Sequence, residues 1–323
     1  MAYITGYVGT YTSPQRPGVY RFRLDTQTGA LSGESCFYPA RNTKYTACWG
    51  SRVACLGEGE GGAGLCLLDA DRPDAPLLDA LFPEQVTSCS LLHHQGLLYT
   101  ANYHDGTVLL YRETEGTLEL ARRVEVASEA GCHQIIPHGR WVLIPCLELD
   151  LVRIFDTEKD WAVAGEIPFA PGTGPRHGVF SADHSRYFMN SERSNQVFSF
   201  AAEGPAFTLT DTKPILPDDF AGKGDTAALR LSTDGRFLYT TARGADLIAV
   251  FAVTGDGLEL VQRTRSGGSS PWDLALVPGH PFALVSNRKS GEVVSFPIGP
   301  DGTLGEICGR VSIPEPVGIS LLV

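Results

Sequence analysis

Short apolar runs separated by polar turns recur along the chain about every 45 residues, and no 3.6-residue periodicity persists over a helix length. Pairs of β-branched and aromatic runs around a polar turn begin at Ala2, Arg52, Gly96, Arg140, Arg186, Arg236 and Pro281, as in GLLYTANYHDGTVLLYR and RFLYTTARGADLIAVFAV. Six of these pairs follow a further apolar run: NTKYTACWG, VTSCSLLHH, GCHQIIPHG, GPRHGVFSAD, TAALRLSTDG and SPWDLALVPG. The seventh copy of that run, PEPVGISLLV, ends the chain. A fourth, more polar run comes after each pair, for example GTLELARRVEV. The pattern predicts an all-β protein: a seven-bladed β-propeller with four antiparallel strands per blade, forming a single domain over residues 1–323. The first blade lacks an inner strand and the last run lacks a blade, so the C-terminal strand is expected to join the N-terminal blade and close the ring.

Successive antiparallel strands reverse direction, which sorts the polar residues onto two faces. Loops entering the inner strands and turns between second and third strands share one face, the mouth. Turns between first and second strands lie on the other. His93, His94, His138, His184 and His280 fall on the far face, where solvated turn histidines are expected. His133, Arg176 and His177 stand where inner strands begin, nearest the axis. His104, Asn102, Glu148, Glu58, Glu192, Arg193, Arg243 and Arg288 occupy second-to-third turns. Turn charges are ordinarily just solvated. A cation at the crowded start of an axial strand, however, needs a partner, which singles out Arg176 and His177.

Composition narrows the partners. The formal net charge is −11 with no Lys/Arg cluster, which argues against nucleic acid. No run approaches the roughly 20 apolar residues that span a bilayer, and Met1-Ala-Tyr-Ile-Thr-Gly has no basic leader region, so no membrane role and a cytoplasmic location are expected. Eight cysteines show no C-x-x-C spacing and read as reduced, mostly buried thiols. A closed ring has no edge that demands an oligomeric partner.

The elements GCHQ, GTGPRHGVF, NSERSNQ and DGRFLYTTARGADLIAVF carry a resemblance to the lactonase family of seven-bladed propellers, which includes 6-phosphogluconolactonases and carboxymuconate cyclases. The likeness runs from YVGTYT to the closing strand. It implies a site of His133, Arg176, Glu192 and Arg243 with His177 adjacent. Two positions depart from the family pattern: Ser191 is inserted in NSERS, and Trp272 stands where members often place Arg.

The resemblance implies hydrolysis of a sugar lactone, with 6-phosphogluconolactone the leading candidate. Opening a lactone needs a base for water, for which Glu192, His133 and His177 are candidates, and cations for the oxyanion or a phosphate, for which Arg176 and Arg243 are candidates. Asn102, His104, Glu148 and Arg288 are expected to contact substrate. Two other readings stand beside this one: a lactonising or delactonising enzyme for another acid, and a non-catalytic propeller that binds a protein. No nucleophile elbow, zinc-protease or P-loop motif occurs, and neither a metal nor a cofactor is implied.

Overall fold

The computed structural model describes residues 3–12, 16–255 and 257–322. These form seven four-stranded sheets, each a blade. The first is built from both ends of the chain, in the order Pro316–Leu322 (β28), Tyr3–Thr10 (β1), Val19–Asp25 (β2) and Leu31–Tyr38 (β3). β28 pairs antiparallel with β1, Tyr7 opposite Ser320, as the sequence pattern predicts. The other six blades use consecutive strands, with inner strands Thr46–Trp49 (β4), Ser90–His94 (β8), Ile136–His138 (β12), Pro175–Phe180 (β16), Asp225–Leu231 (β20) and Pro271–Leu276 (β24). The only helical turns among the described residues are the short 3-10 segments Leu147–Leu149 and Thr157–Lys159. None is long or apolar enough to cross a membrane.

Middle strands are buried on both sides because neighbouring blades pack face to face. Phe188 and Val197 of the fifth blade, for instance, meet Leu229, Leu238, Ala249 and Phe251 of the sixth. Emptying such a site, as in Phe→Ala, costs about 3–5 kcal/mol, so these layers hold the axis and its loops in place. The outer strands carry mixed patterns: in Thr117–Glu125 only Leu118 and Val124 are buried, which accounts for the polar fourth run. All eight cysteines are free thiols, but only Cys55, Cys66, Cys132 and Cys146 are buried and Cys36 is exposed.

The far face differs from expectation at His93, which is half-buried and stacks on Trp49 at 4.2 Å, and more fully at His138. His138 is buried and stacks on Phe180 with centroids 4.3 Å apart. Its Nε2 lies 3.0 Å from Gly204 O and its Nδ1 lies 3.0 Å from His184 Nδ1. A carbonyl only accepts, so Nε2 carries the proton and Nδ1 accepts from His184. His138 is thus packed at an interblade contact, while His184 remains exposed on its turn as expected.

Inner strands enter the ring through β-bulges. The register shifts between Pro175 and His177 and again between Pro271 and Asp273. A bulge takes its residue out of the ladder and re-aims its side chain. Arg176 and Trp272 occupy these two positions at the start of their strands.

Candidate active site

Three blade elements converge on one carboxylate. Glu192 follows Arg186–Ser191 (β17), and its backbone is stitched to two neighbours: its N–H donates to Gly174 O at 2.8 Å, and its carbonyl accepts from Thr226 N at 3.1 Å. Gly174 has φ 64, a left-handed conformation that suits glycine at this tight approach. Arg176 Nε donates to Glu192 Oε2 at 2.7 Å, and Arg176 Nη1 donates to Ala227 O at 2.6 Å. Arg243, at the end of Phe237–Arg243 (β21), places Nη2 2.9 Å from the same Oε2. That N–H is not aligned on the oxygen and counts as buried without a hydrogen bond, so it retains capacity for a better acceptor. Both arginines use Oε2, which leaves Oε1 open to water or ligand.

Arg176 is 1% exposed, so its charge depends on this pairing. Burial pushes the Glu192 carboxyl up, but Arg176, Arg243 and His133 outweigh it and bring its pKa down to about 2. The resting carboxylate is firmly ionised.

His133 and His177 flank the cluster with ring centroids 5.2 Å apart. The His177 N–H donates to Asn190 Oδ1, and Asn190 Nδ2 reaches Ala227 O and Ala228 O, which ties the bulge to the sixth blade. Burial, reinforced by Arg176, pushes His133 down to about 3 and His177 well below its ordinary value. Both rings are therefore neutral near pH 7. His133 Nδ1 is buried without a partner. Gly131, with φ 69, lets this entry loop lie against Glu148, since a Cβ there would meet Glu148 N at 2.9 Å. Beneath the cluster, a cavity of about 250 Å³ along the axis is lined by His177, Tyr45, Gln134 and Arg230 among others.

The remaining expected residues divide. Arg288 belongs to the mouth: its guanidinium carbon is 3.9 Å from the centroid of Tyr11 and 4.8 Å from that of Trp272, and Nη2 is 3.2 Å from Glu315 Oε1. Arg243 stacks on the same indole at 4.3 Å. Glu148 pairs with Arg193 through both oxygens at 2.6 and 2.7 Å and accepts from the Tyr103 hydroxyl. His104 is exposed, and with Tyr103, Glu129 and Glu148 it lines a rim cavity of about 550 Å³. Glu58 accepts from Asn42 and Thr87.

Asn102 is a correction. It is fully buried, its Nδ2 donates to Glu84 Oε1 and Val86 O, and its Oδ1 accepts from the N–H groups of His104 and Asp105. Every polar atom is committed to shaping the turn, so none is left for a substrate. Tyr11 and Lys44 are mouth residues that the sequence reading passed over. Lys44 stands in NTKYTACWG just ahead of β4, the same kind of inner-strand entry that singled out Arg176.

The centre of the propeller mouth is thus a carboxylate shared by two arginines and flanked by two neutral histidines. The chain belongs to the lactonase family of seven-bladed β-propellers, whose model matches residues 5–321. It is 29% identical over 98% of both chains to 6-phosphogluconolactonase of Bacillus subtilis. Among solved structures it is similar to a Lactobacillus plantarum protein, with TM-score 0.92, 26% identity and complete coverage of both chains. It is also similar to the periplasmic gluconolactonase of Pseudomonas aeruginosa, with TM-score 0.86 and 26% identity over 100% of this chain and 99% of that one.

Proposed function

We propose that this protein hydrolyses a sugar lactone, 6-phosphogluconolactone being the leading substrate, with Glu192 as the base, Arg176 and Arg243 on the developing oxyanion, and His133 and His177 orienting water and carbonyl through neutral rings. The observation that carries this reading is the Arg176–Glu192–Arg243 contact. Membership of the family and the names of its relatives support the reaction class.

The base assignment follows from how each group responds to substrate. Glu192 is weakly basic at rest because two cations hold its charge. A substrate oxygen that draws Arg243 or Arg176 away, and that dries the mouth, raises the carboxyl toward a useful range. His133 and His177 are depressed first by burial, which a bound substrate deepens. Water held at Oε1 of Glu192 then gives its proton to the carboxylate as it attacks the lactone carbonyl, and the ring C–O bond breaks when the leaving alkoxide takes that proton back.

The test is acid release from phosphorylated and unphosphorylated gluconolactone by the purified protein, with spontaneous hydrolysis subtracted. Turnover of at least one lactone is expected, and activity on neither removes this reading.

A further inference from the structure

The reacting cluster does not account for all the positive charge in the mouth. Arg176 and Arg243 share Glu192 and Arg288 pairs with Glu315, whereas Lys44 has Glu58 and Glu84 nearby but in no direct contact. Lys44 is half-buried and its Nζ donates to Thr87 O at 3.2 Å. No carboxylate among the described residues lies within 4.0 Å of it. An ammonium has three donors, so two are unused. Arg288 Nε is likewise buried without a partner.

Both cations lie against the Tyr11 ring. Lys44 Nζ lies 5.6 Å from the Tyr11 centroid, Arg288 packs on that ring at 3.9 Å, and Tyr11 meets Trp272 edge to face at 5.5 Å. The other side of this surface belongs to the reacting cluster, because Trp272 carries Arg243 as well as Arg288. Trp272 therefore stands between Arg288 and the Arg243 of the reacting cluster. Keeping donors without an acceptor is costly. The idle donors of Lys44 and Arg288 are explained by a ligand that brings the missing acceptor.

We propose that Lys44 and Arg288, set against Tyr11 and Trp272, form a second anion subsite that holds the phosphate monoester of the lactone while the ring carbonyl sits at Arg176, Glu192 and Arg243. A phosphate monoester suits it because its oxygens match both the idle ammonium donors and the free Arg288 Nε. This inference rests on the lactonase reading and names the substrate class within it. Trp272 then stands between this subsite and the reacting cluster.

The experiment measures kcat/KM on phosphorylated and unphosphorylated gluconolactone for wild type, Lys44→Met, Arg288→Met and Lys44→Arg, alongside titration of each protein with inorganic phosphate. Thermal melts check that each variant is folded. Loss of one charge-assisted contact predicts that the phosphorylated-to-unphosphorylated ratio falls about 10- to 100-fold in each Met variant, mainly through KM, with most of it restored in Lys44→Arg. Phosphate binding weakens in the same order. Equal losses on both substrates, or an unchanged ratio, overturn the subsite and leave the lactonase reading standing. If wild type turns over neither lactone, the reaction assignment fails. Phosphate titration then judges the subsite by itself: binding that Lys44→Met abolishes supports it, and no binding by wild type overturns it.

Discussion

Replacing Glu192 with Gln removes one charge, preserves the shape and isolates the centre of the site. In the folded protein the carboxyl is brought from its ordinary 4.5 to about 2. Because the folded value lies below the unfolded one, the ionised group stabilises the fold above about pH 4.5, and that stability is lost as pH falls toward 2. The difference corresponds to about 3 kcal/mol at neutral pH. At 23% exposure the side chain is shielded enough for this figure to hold as an order of magnitude. Glu192→Gln should therefore unfold in urea at pH 7 with a stability about 3 kcal/mol below wild type, narrowing to about 1 kcal/mol at pH 3. Much of the loss comes from leaving Arg176 buried without a counter-charge. Removal of the base should also lower kcat by about 10² to 10⁴. A stability gap that stays constant from pH 7 to pH 3 would refute the electrostatic account. Near wild-type turnover would refute the catalytic one.

Three further outcomes follow from other parts of the ring. His133, His138 and His177 are all held below their ordinary 6.5 by burial, so unfolding below that pH takes up protons, and stability should fall by up to about 1.4 kcal/mol per pH unit for each; calorimetry at pH 5 in buffers of different ionisation heat should detect about two protons from His133 and His177 together with a part from His138, and an uptake near zero would contradict the burial argument. Asp273 is buried, accepts from Arg230 Nη2 at 2.7 Å and receives the Ile319 N–H of β28 at 3.0 Å; Asp273→Ala should cost about 3–5 kcal/mol and speed amide exchange in β28, and unchanged exchange there would remove its role in ring closure. Asn102→Ala should lower the melting temperature while the turnover of the folded protein stays within about twofold, and a selective loss of turnover would return Asn102 to the site.

The blade pattern was legible because it rests on run length and spacing, which each strand carries by itself. Chain direction then sorted loops between faces, and for that reason Arg176, His177, His133, Glu192 and Arg243 were all placed at the mouth. What strand order does not carry is partnership between blades. Asn102 looked like a mouth residue because its position is right, but its side chain turns back into Glu84 and Val86 of the preceding segment. His138 looked solvated because its turn is polar, but the aromatic wall that buries it includes Phe180 and Phe207 from the next blade. Lys44 was overlooked because an isolated lysine in a run of strand residues resembles a solvated edge, and only the ring brings Tyr11 and Thr87 to it.

The two bulged inner strands show how one backbone device sets different chemistry at neighbouring blades. Pro175-Arg176-His177 and Pro271-Trp272-Asp273 share a register shift at the same point of entry. The first lifts a guanidinium onto Glu192, while the second lifts an indole on which Arg243 and Arg288 both rest. An arginine in place of Trp272 would set a third guanidinium beside Arg243 and Arg288. It would also remove the flat surface that keeps Arg243 close to Glu192. The indole at this position thus positions two charges supplied by adjacent turns. Cation–π contacts of this kind contribute about 0.5–2 kcal/mol each, enough to set the orientation of Arg243 beside Glu192.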